Sequence, residues 1–475
     1  MGGRVLSVAS ECVPLVKTGG LADVVGALPA ALAGQGWEMR VLLPAYRALR
    51  GLFAGWPEVL AEADLFGGAA RVFAGEVAGL SVLLLDASHL YDRAGGPYGG
   101  PDGDWPDNAQ RFAALSWVAA RIARDGLADG WRPDILHAHD WQAGFAPAYL
   151  AYGGGALPSV ITVHNIAFQG WAEAGMLAEL RLPQAAFHSG ALEYYGGLSS
   201  LKAGLVTADA ITTVSPGYAA ELMRPEFGMG LEGVIAARAN RVQGILNGVD
   251  EALWSPDTAV PPYGAQRMRG KAANRAALCA EFGLEVPGPL AIVVSRLTDQ
   301  KGIDLIAAAL PDFIEGGGGL LVLGSGDAGL EAAMRALVLR YPGRVAVRIG
   351  YDEALSHRMF AAGDAVLVPS RFEPCGLTQM YGLRYGTLPV VAAVGGLADT
   401  VITANPAGLA AGVATGITFY PTDALAFGQA LRRLLAIHGD PAIWVQMQRN
   451  AMRHPVGWQA SAKAYGDLYQ GLLRR

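Results

Sequence analysis

Cysteine is scarce: Cys12, Cys279 and Cys375 are the only three in 475 residues. Scattered and odd in number, they form no disulfide framework and no metal-ligand spacing, and they suit a reducing compartment. Charge is sparse too. Charged residues make up 16% of the chain and the formal net charge is -6, which argues against a general affinity for nucleic acid. No apolar run approaches the roughly 18 residues that a membrane span needs. The first residues, Arg4 to Ser10, look superficially like a signal peptide. Glu11 and Lys17 interrupt them, however, and a first β-strand explains them better. A cytoplasmic protein is expected.

What is abundant is hydrophobic residues, at 52%, and glycine, with 64 copies. That is a globular composition, and the length calls for two or three domains. Short apolar runs alternate with longer helical stretches, the signature of an α/β fold. Strands are expected near 5–9, 40–43, 81–85, 134–137, 160–164, 210–214 and 242–246. A second series is expected near 290–294, 320–323, 345–349, 365–368, 388–392 and 416–419. Between them, Trp254-Ser255-Pro256-Asp257 and Pro261-Pro262 suit a hinge. The reading is therefore two doubly wound domains, 1–250 and 265–455, with a linker at 251–264. An amphipathic helix within 456–475 is expected to cross back to the first domain.

The most informative stretch is Pro369-Ser370-Arg371-Phe372-Glu373-Pro374-Cys375-Gly376-Leu377-Thr378. It joins an apolar strand to the start of a helix, and such turns lie at the sheet edge where open α/β folds bind ligands. Gly376 lets backbone N–H groups approach a ligand, and the helix start behind it favours an anion. Glu373 sets a carboxylate beside that anion site, so a ligand with both phosphate and sugar is expected. Lys17-Thr18-Gly19-Gly20 offers a possible backbone nest and a mobile cation for a diphosphate, without P-loop spacing. Arg296 and Lys301, in the loop after the first strand of the second half, suit a clamp on a departing diphosphate. Taken singly, each of these loops also reads as an ordinary solvated turn.

His137-Ala138-His139-Asp140 resembles a metal site at first sight. Nothing else completes a cage, so a hydrogen-bonded polar strand end is expected instead. His164-Asn165 ends another strand, with Asn165 suited to sugar hydroxyls. Gly324-Ser325-Gly326-Asp327 is an incomplete dinucleotide fingerprint, and no Gly-x-Ser-x-Gly elbow occurs. Gly-Gly-Leu-Ala-Asp appears twice, at 19–23 and 395–399, each time at the start of an expected helix.

These blocks, with Asp104-Trp105-Pro106-Asp107-Asn108 and Gly244-Ile245-Leu246-Asn247-Gly248-Val249-Asp250, closely resemble bacterial glycogen synthases and plant starch synthases over nearly the whole chain. The resemblance implies a GT-B architecture, two Rossmann-like domains facing a deep interdomain cleft. It also implies a retaining transferase that moves glucose from ADP-glucose to the non-reducing end of an α-1,4-glucan. On the donor it implies Lys17, Gly19, Gly20 and Asp23, the phosphate-binding helix start Gly376, Leu377 and Thr378, and Tyr351 on the adenine. Arg296 and Lys301 match the pair that stabilises the departing diphosphate. Glu373 matches the essential carboxylate and His164 the histidine at the reacting sugar. Tyr98, Asp140, Asn165 and Asn247 match sugar-subsite residues.

Two positions depart from related patterns. Tyr381 stands where many GT-B enzymes carry a second glutamate, so double displacement lacks an obvious nucleophile and front-face substitution is expected. Residues 197–202 are smaller than is usual in the family. No cofactor and no metal are expected. The partners expected are ADP-glucose and a glucan, with no nucleic acid and no membrane. A related GT-B transferase using UDP-glucose or another acceptor, and a catalytically silent glucan binder, are the competing readings.

Overall fold

Val5, Leu6 and Val8 are fully buried on the strand Arg4–Val8, because a central parallel strand is covered on both faces. In this computed structural model, which describes residues 2–474, that strand pairs in parallel with Glu38–Pro44 on one side and Ile135–His139 on the other. The full sheet runs Val242–Gly244, Ala210–Thr213, Ser159–Val163, Ile135–His139, Arg4–Val8, Glu38–Pro44, Leu80–Asp86, Ala70–Val77, Glu58–Glu62. The last three are antiparallel neighbours, an extension absent from the expected doubly wound pattern. A two-residue turn makes it possible. Val77 pairs with Leu80, and Ala78 and Gly79 both take positive φ, 51° and 79°. Those angles are those of a hairpin turn whose twist matches its strands. A second addition is a small antiparallel sheet of Trp171–Glu173, Gly197–Ser199 and Glu193–Tyr194.

The chain divides into two compact units, residues up to Asn247 with those from Trp458 onward, and Gly248–Gly457. Helix Gln459–Leu473 thus belongs to the first unit. Its Ala462, Tyr465, Tyr469 and Leu472 complete a core with Val5, Leu28, Leu32, Trp37, Met39 and Ile135. Trp37 and Tyr469 meet edge to face with centroids 5.2 Å apart.

The second unit carries a wholly parallel sheet, ordered Val345–Ile349, Gly319–Gly324, Leu290–Val294, Ala365–Val368, Leu388–Ala392, Ile417–Phe419. A buried lysine ties its helices to the strands. Lys271 Nζ donates to Thr387 Oγ1 at 2.8 Å, Tyr385 O at 3.1 Å and Phe360 O at 3.2 Å. Burial lowers its pKa to about 7.

In each unit the first strand has neighbours reached by connections running in opposite directions. The loops leaving such a strand and its neighbour diverge and leave a crevice, the usual ligand site of an open α/β sheet. In the first unit these loops carry Glu11, Lys17 and Asp140. In the second they carry residues 295–302 and 369–378.

Candidate active-site residues

Glu11 organises the first of these loops. Its buried carboxylate accepts hydrogen bonds from the Thr18 hydroxyl at 2.6 Å, the Gly19 N–H at 3.2 Å, and the Thr18 N–H and Tyr98 hydroxyl. The expected nest at Gly19 and Gly20 is therefore partly closed: two of its N–H groups serve the chain's own carboxylate. Gly20 opens helix Gly20–Ala33 with no side-chain cap. A Cβ at Gly19 or Gly20 would meet nothing within 4 Å, so crowding does not explain these glycines and open space remains beside them. Lys17 Nζ bonds Asp23 Oδ1 at 2.7 Å with its side chain half exposed. Tyr98 also bonds Ser10 Oγ at 2.8 Å, and Asn108 Nδ2 donates to its carbonyl at 2.8 Å.

Asp140 takes φ 52°, an uncommon backbone state for a residue with a Cβ. That turn aims its carboxylate at the next strand end, where Oδ1 accepts the His164 N–H at 2.7 Å and the Asn165 N–H at 3.4 Å. Burial pushes its pKa up to about 7, against the pull of those two N–H groups. Asp140 thus grips the backbone of His164 and Asn165. Asn165 Oδ1 closes a local turn with the Ala167 N–H at 3.0 Å. Asn247 is buried, and its Oδ1 has no hydrogen-bond partner among the described residues. The small residues at 197–202 are also explained in part. Ser199 caps helix Ser200–Thr207 through the Lys202 N–H, and Ser200 Oγ donates to Trp141 O at 2.6 Å.

Both ring nitrogens of His137 and of His139 are engaged by protein atoms. His137 Nδ1 meets Tyr469 Oη at 2.7 Å and its Nε2 meets Thr162 Oγ1 at 2.6 Å. His139 Nδ1 meets His164 Nε2 at 3.0 Å and its Nε2 meets Ser7 Oγ at 3.2 Å. Burial drives the imidazoles of His137 and His164 down to about 3, and that of His139 well below its ordinary value. This is a neutral, hydrogen-bonded strand end.

In the second unit, Lys301 Nζ lies 2.5 Å from Glu373 Oε2, which also accepts from Ser370 Oγ at 2.9 Å. Two loops are laced together around this pair. Arg371 N donates to Gln300 O at 2.9 Å, Gln300 Nε2 to Phe372 O at 3.1 Å, and the Arg371 guanidinium makes two bonds to Asp304 at 2.8 and 2.7 Å. Those guanidinium bonds hold the Asp304 carboxyl below its usual range. Arg296 is exposed, and its guanidinium is held by no hydrogen bond or ion pair among the described residues.

Gly376, with φ 72°, precedes helix Thr378–Tyr385, whose first turn has no side-chain cap. A Cβ at Gly376 would stand 2.4 Å from Gln379 Oε1. Gln379 Nε2 in turn holds the carbonyls of Cys375 at 2.9 Å and Gly376 at 2.8 Å. With those carbonyls tied down, the helix start at Leu377 and Thr378 offers N–H groups to an anion. Tyr381 stacks on Trp254 with centroids 3.7 Å apart, so an aromatic sandwich occupies the second-glutamate position. Tyr351 sits apart from these groups. It follows the edge strand Val345–Ile349, with two strands between it and Ala365–Val368, its ring exposed and its hydroxyl donating to Glu353 at 2.8 Å.

The sequence reading passed over Glu11, Ser370 and Gln379. Glu11 carried a usable signal, an acidic residue just past the first strand at the switch point. Ser370 and Gln379 act through their neighbours, and nothing local marks them.

Two Rossmann-like units with polar switch-point loops, one bearing a lysine–carboxylate pair beside an uncapped helix start, define a glycosyltransferase of the GT-B fold. Residues 4–237 match the family described as starch synthase catalytic domain, and residues 288–436 match glycosyl transferases group 1. The chain is 72% identical to a glycogen synthase of Cereibacter sphaeroides over 99% of both chains. It is 61% identical to one of Paracoccus denitrificans, again over 99% of both. Its fold matches the catalytic domain of starch synthase IV from Arabidopsis thaliana, a structure bound to ADP and acarbose. That match has a TM-score of 0.87 at 30% identity and covers 100% of both chains. The chain belongs to the bacterial glycogen synthase family.

Proposed function

We propose that this glycosyltransferase moves glucose from ADP-glucose to the non-reducing end of an α-1,4-glucan and keeps the anomeric configuration. The Lys301–Glu373 pair beside the open helix start carries this reading. A cation at 2.5 Å from a carboxylate is poised to meet growing phosphate charge, while the carboxylate faces sugar hydroxyls. The ADP held by the starch synthase relative supports the nucleotide, and its acarbose supports a glucan acceptor.

In the proposed reaction the bond from the anomeric carbon to the diphosphate breaks, and Arg296, Lys301 and the helix start at Thr378 stabilise the charge left on the leaving group. Lys17 and Asp23 serve the diphosphate from the first unit's loop, and Tyr351 serves the base. The acceptor hydroxyl attacks from the face the diphosphate is leaving, and its proton passes to a leaving-group oxygen. Atoms and charge balance without a nucleophilic side chain, which suits an aromatic at Tyr381. Asp140 holds the His164 and Asn165 backbone at the sugar, with Tyr98 and Asn247 lining its subsites.

Metal independence belongs to the same proposal, with Arg296 and Lys301 supplying the positive charge that a metal would otherwise give. A cytoplasmic location is likewise proposed. The three cysteines are free thiols, and among the described residues no helix is long and apolar enough to cross a membrane.

The test is transfer of labelled glucose from ADP-glucose and UDP-glucose to glycogen, side by side, with and without EDTA. Chelator-insensitive transfer from ADP-glucose is expected. Preference for UDP-glucose would overturn the donor, loss in EDTA restored by Mg²⁺ would overturn metal independence, and glucan binding without transfer would leave a silent binder.

A further inference from the structure

His137 and His139 alternate on the strand Ile135–His139 and so share one face of the sheet, where their rings lie 4.2 Å apart. Ser7 on one neighbouring strand and His164 at the end of the other flank His139. The proton count in this chain of contacts has one solution that leaves the buried Ser7 hydroxyl bonded. Ser7 is fully buried, and His139 Nε2 is its hydroxyl's hydrogen-bond partner among the described residues, at 3.2 Å. A serine hydroxyl has one hydrogen to give, and leaving it unbonded in the interior is costly. Ser7 therefore donates and His139 Nε2 accepts.

A neutral imidazole that accepts at Nε2 carries its proton at Nδ1. His139 Nδ1 then donates to His164 Nε2, 3.0 Å away. His164 accepts there, so its own proton sits on Nδ1, which makes no hydrogen bond among the described residues. We propose that Ser7 and His139 act as positioning residues, a tautomer relay that holds His164 as a neutral imidazole presenting an Nδ1–H donor to an oxygen of the reacting sugar. The relay rests on the placement of His164 at that sugar. Burial, which keeps all three imidazoles uncharged near neutral pH, removes the alternative in which both His139 nitrogens donate. His137, pinned between Tyr469 and Thr162, backs the His139 ring and stops it turning over.

The test combines a spectrum with a pair of substitutions. In full-length protein with ¹⁵N-labelled histidine, long-range proton–nitrogen correlation at about pH 7.5 reports which ring nitrogen bears the proton; the His164 signals are assigned by their loss in His164→Gln. The expected pattern is Nδ1–H on both His139 and His164, with His164 becoming a mixture of tautomers in Ser7→Ala. In His139→Asn the amide NH₂ replaces the Nδ1–H donor, whereas in His139→Gln the amide falls nearer Nε2. Turnover should stay within about fivefold for the Asn variant and drop about 30-fold for the Gln variant, with the donor KM changed by less than about twofold in both. A proton on His164 Nε2, or equal losses in the Asn and Gln variants, would overturn the relay. An Nδ1–H signature alongside full turnover in His164→Gln would instead overturn the placement of His164 at the sugar.

Discussion

The two switch points do different physical work. In the first unit the strand ends at His137–Asp140 and His164 are buried, hydrogen-bonded to one another and largely uncharged, while the loop before them holds the half-exposed Lys17–Asp23 pair. Three imidazoles sit far below their ordinary pKa, and Asp140 is pushed up to about 7. In the second unit the corresponding loops carry charge: the Lys301–Glu373 pair, the Arg371–Asp304 pair and the exposed guanidinium of Arg296. A buried neutral network fixes positions but supplies little field. A partly exposed set of charges supplies field and tolerates motion. The division suits the proposed roles: a neutral strand end to orient a sugar, and a charged pair of loops to meet phosphate.

The strongest way to break the comparison is Glu373→Ala. It removes the partner of Lys301 in the charged unit and should lower turnover by on the order of a thousandfold. Donor affinity, followed by calorimetry, should change by less than about tenfold. Equal losses in both would reduce Glu373 to a binding group and erase the proposed difference in roles.

Glu11→Gln sharpens the same contrast from the first unit. The amide retains one acceptor oxygen, but it cannot serve the Thr18 hydroxyl, two N–H groups and Tyr98 together. The Lys17 loop should loosen, with kcat/KM for the nucleotide sugar about tenfold lower and kcat at saturation falling less. An unchanged kcat/KM would mean that the loop is held by its backbone alone.

Asp140→Asn should have the smallest effect, read in stability rather than rate. Asn keeps an oxygen to accept the His164 and Asn165 N–H groups and removes the ionisation. Since the folded-state pKa of Asp140 is raised, its protonated form stabilises the parent fully below about pH 4, and that stabilisation is lost as pH rises through about 7. The Asn variant should therefore gain on the parent between about pH 4 and pH 8, by on the order of 1–3 kcal/mol in denaturant titrations. A difference that does not vary with pH would show that Asp140 is ionised throughout.

Much of this arrangement is legible along the chain. Every expected strand overlaps an observed one, because parallel strands covered on both faces read as unbroken apolar runs. The loops carrying Lys17, Arg296, Lys301, Glu373 and Gly376 are legible for a related reason: each directly follows such a run. The antiparallel extension Glu58–Glu62 and Ala70–Val77 was missed. Its strands are partly exposed and form no unbroken buried run, and its turn is Ala78-Gly79 rather than a stronger hairpin dipeptide.

Local pattern thus determined the α/β class, the position of each switch-point loop and the residue types able to meet a phosphate or a sugar. It could not decide what those residues touch. That Glu11 closes the Lys17 loop, that Asp140 grips the His164 backbone, and that Tyr469 near the far end of the chain bonds His137 are contacts between residues 7, 24 and 332 positions apart. Hydrogen bonds need partners within about 3 Å. Only loop folding, strand pairing and the packing of helix on sheet bring these groups to that separation, and the same packing, by excluding water, sets their protonation.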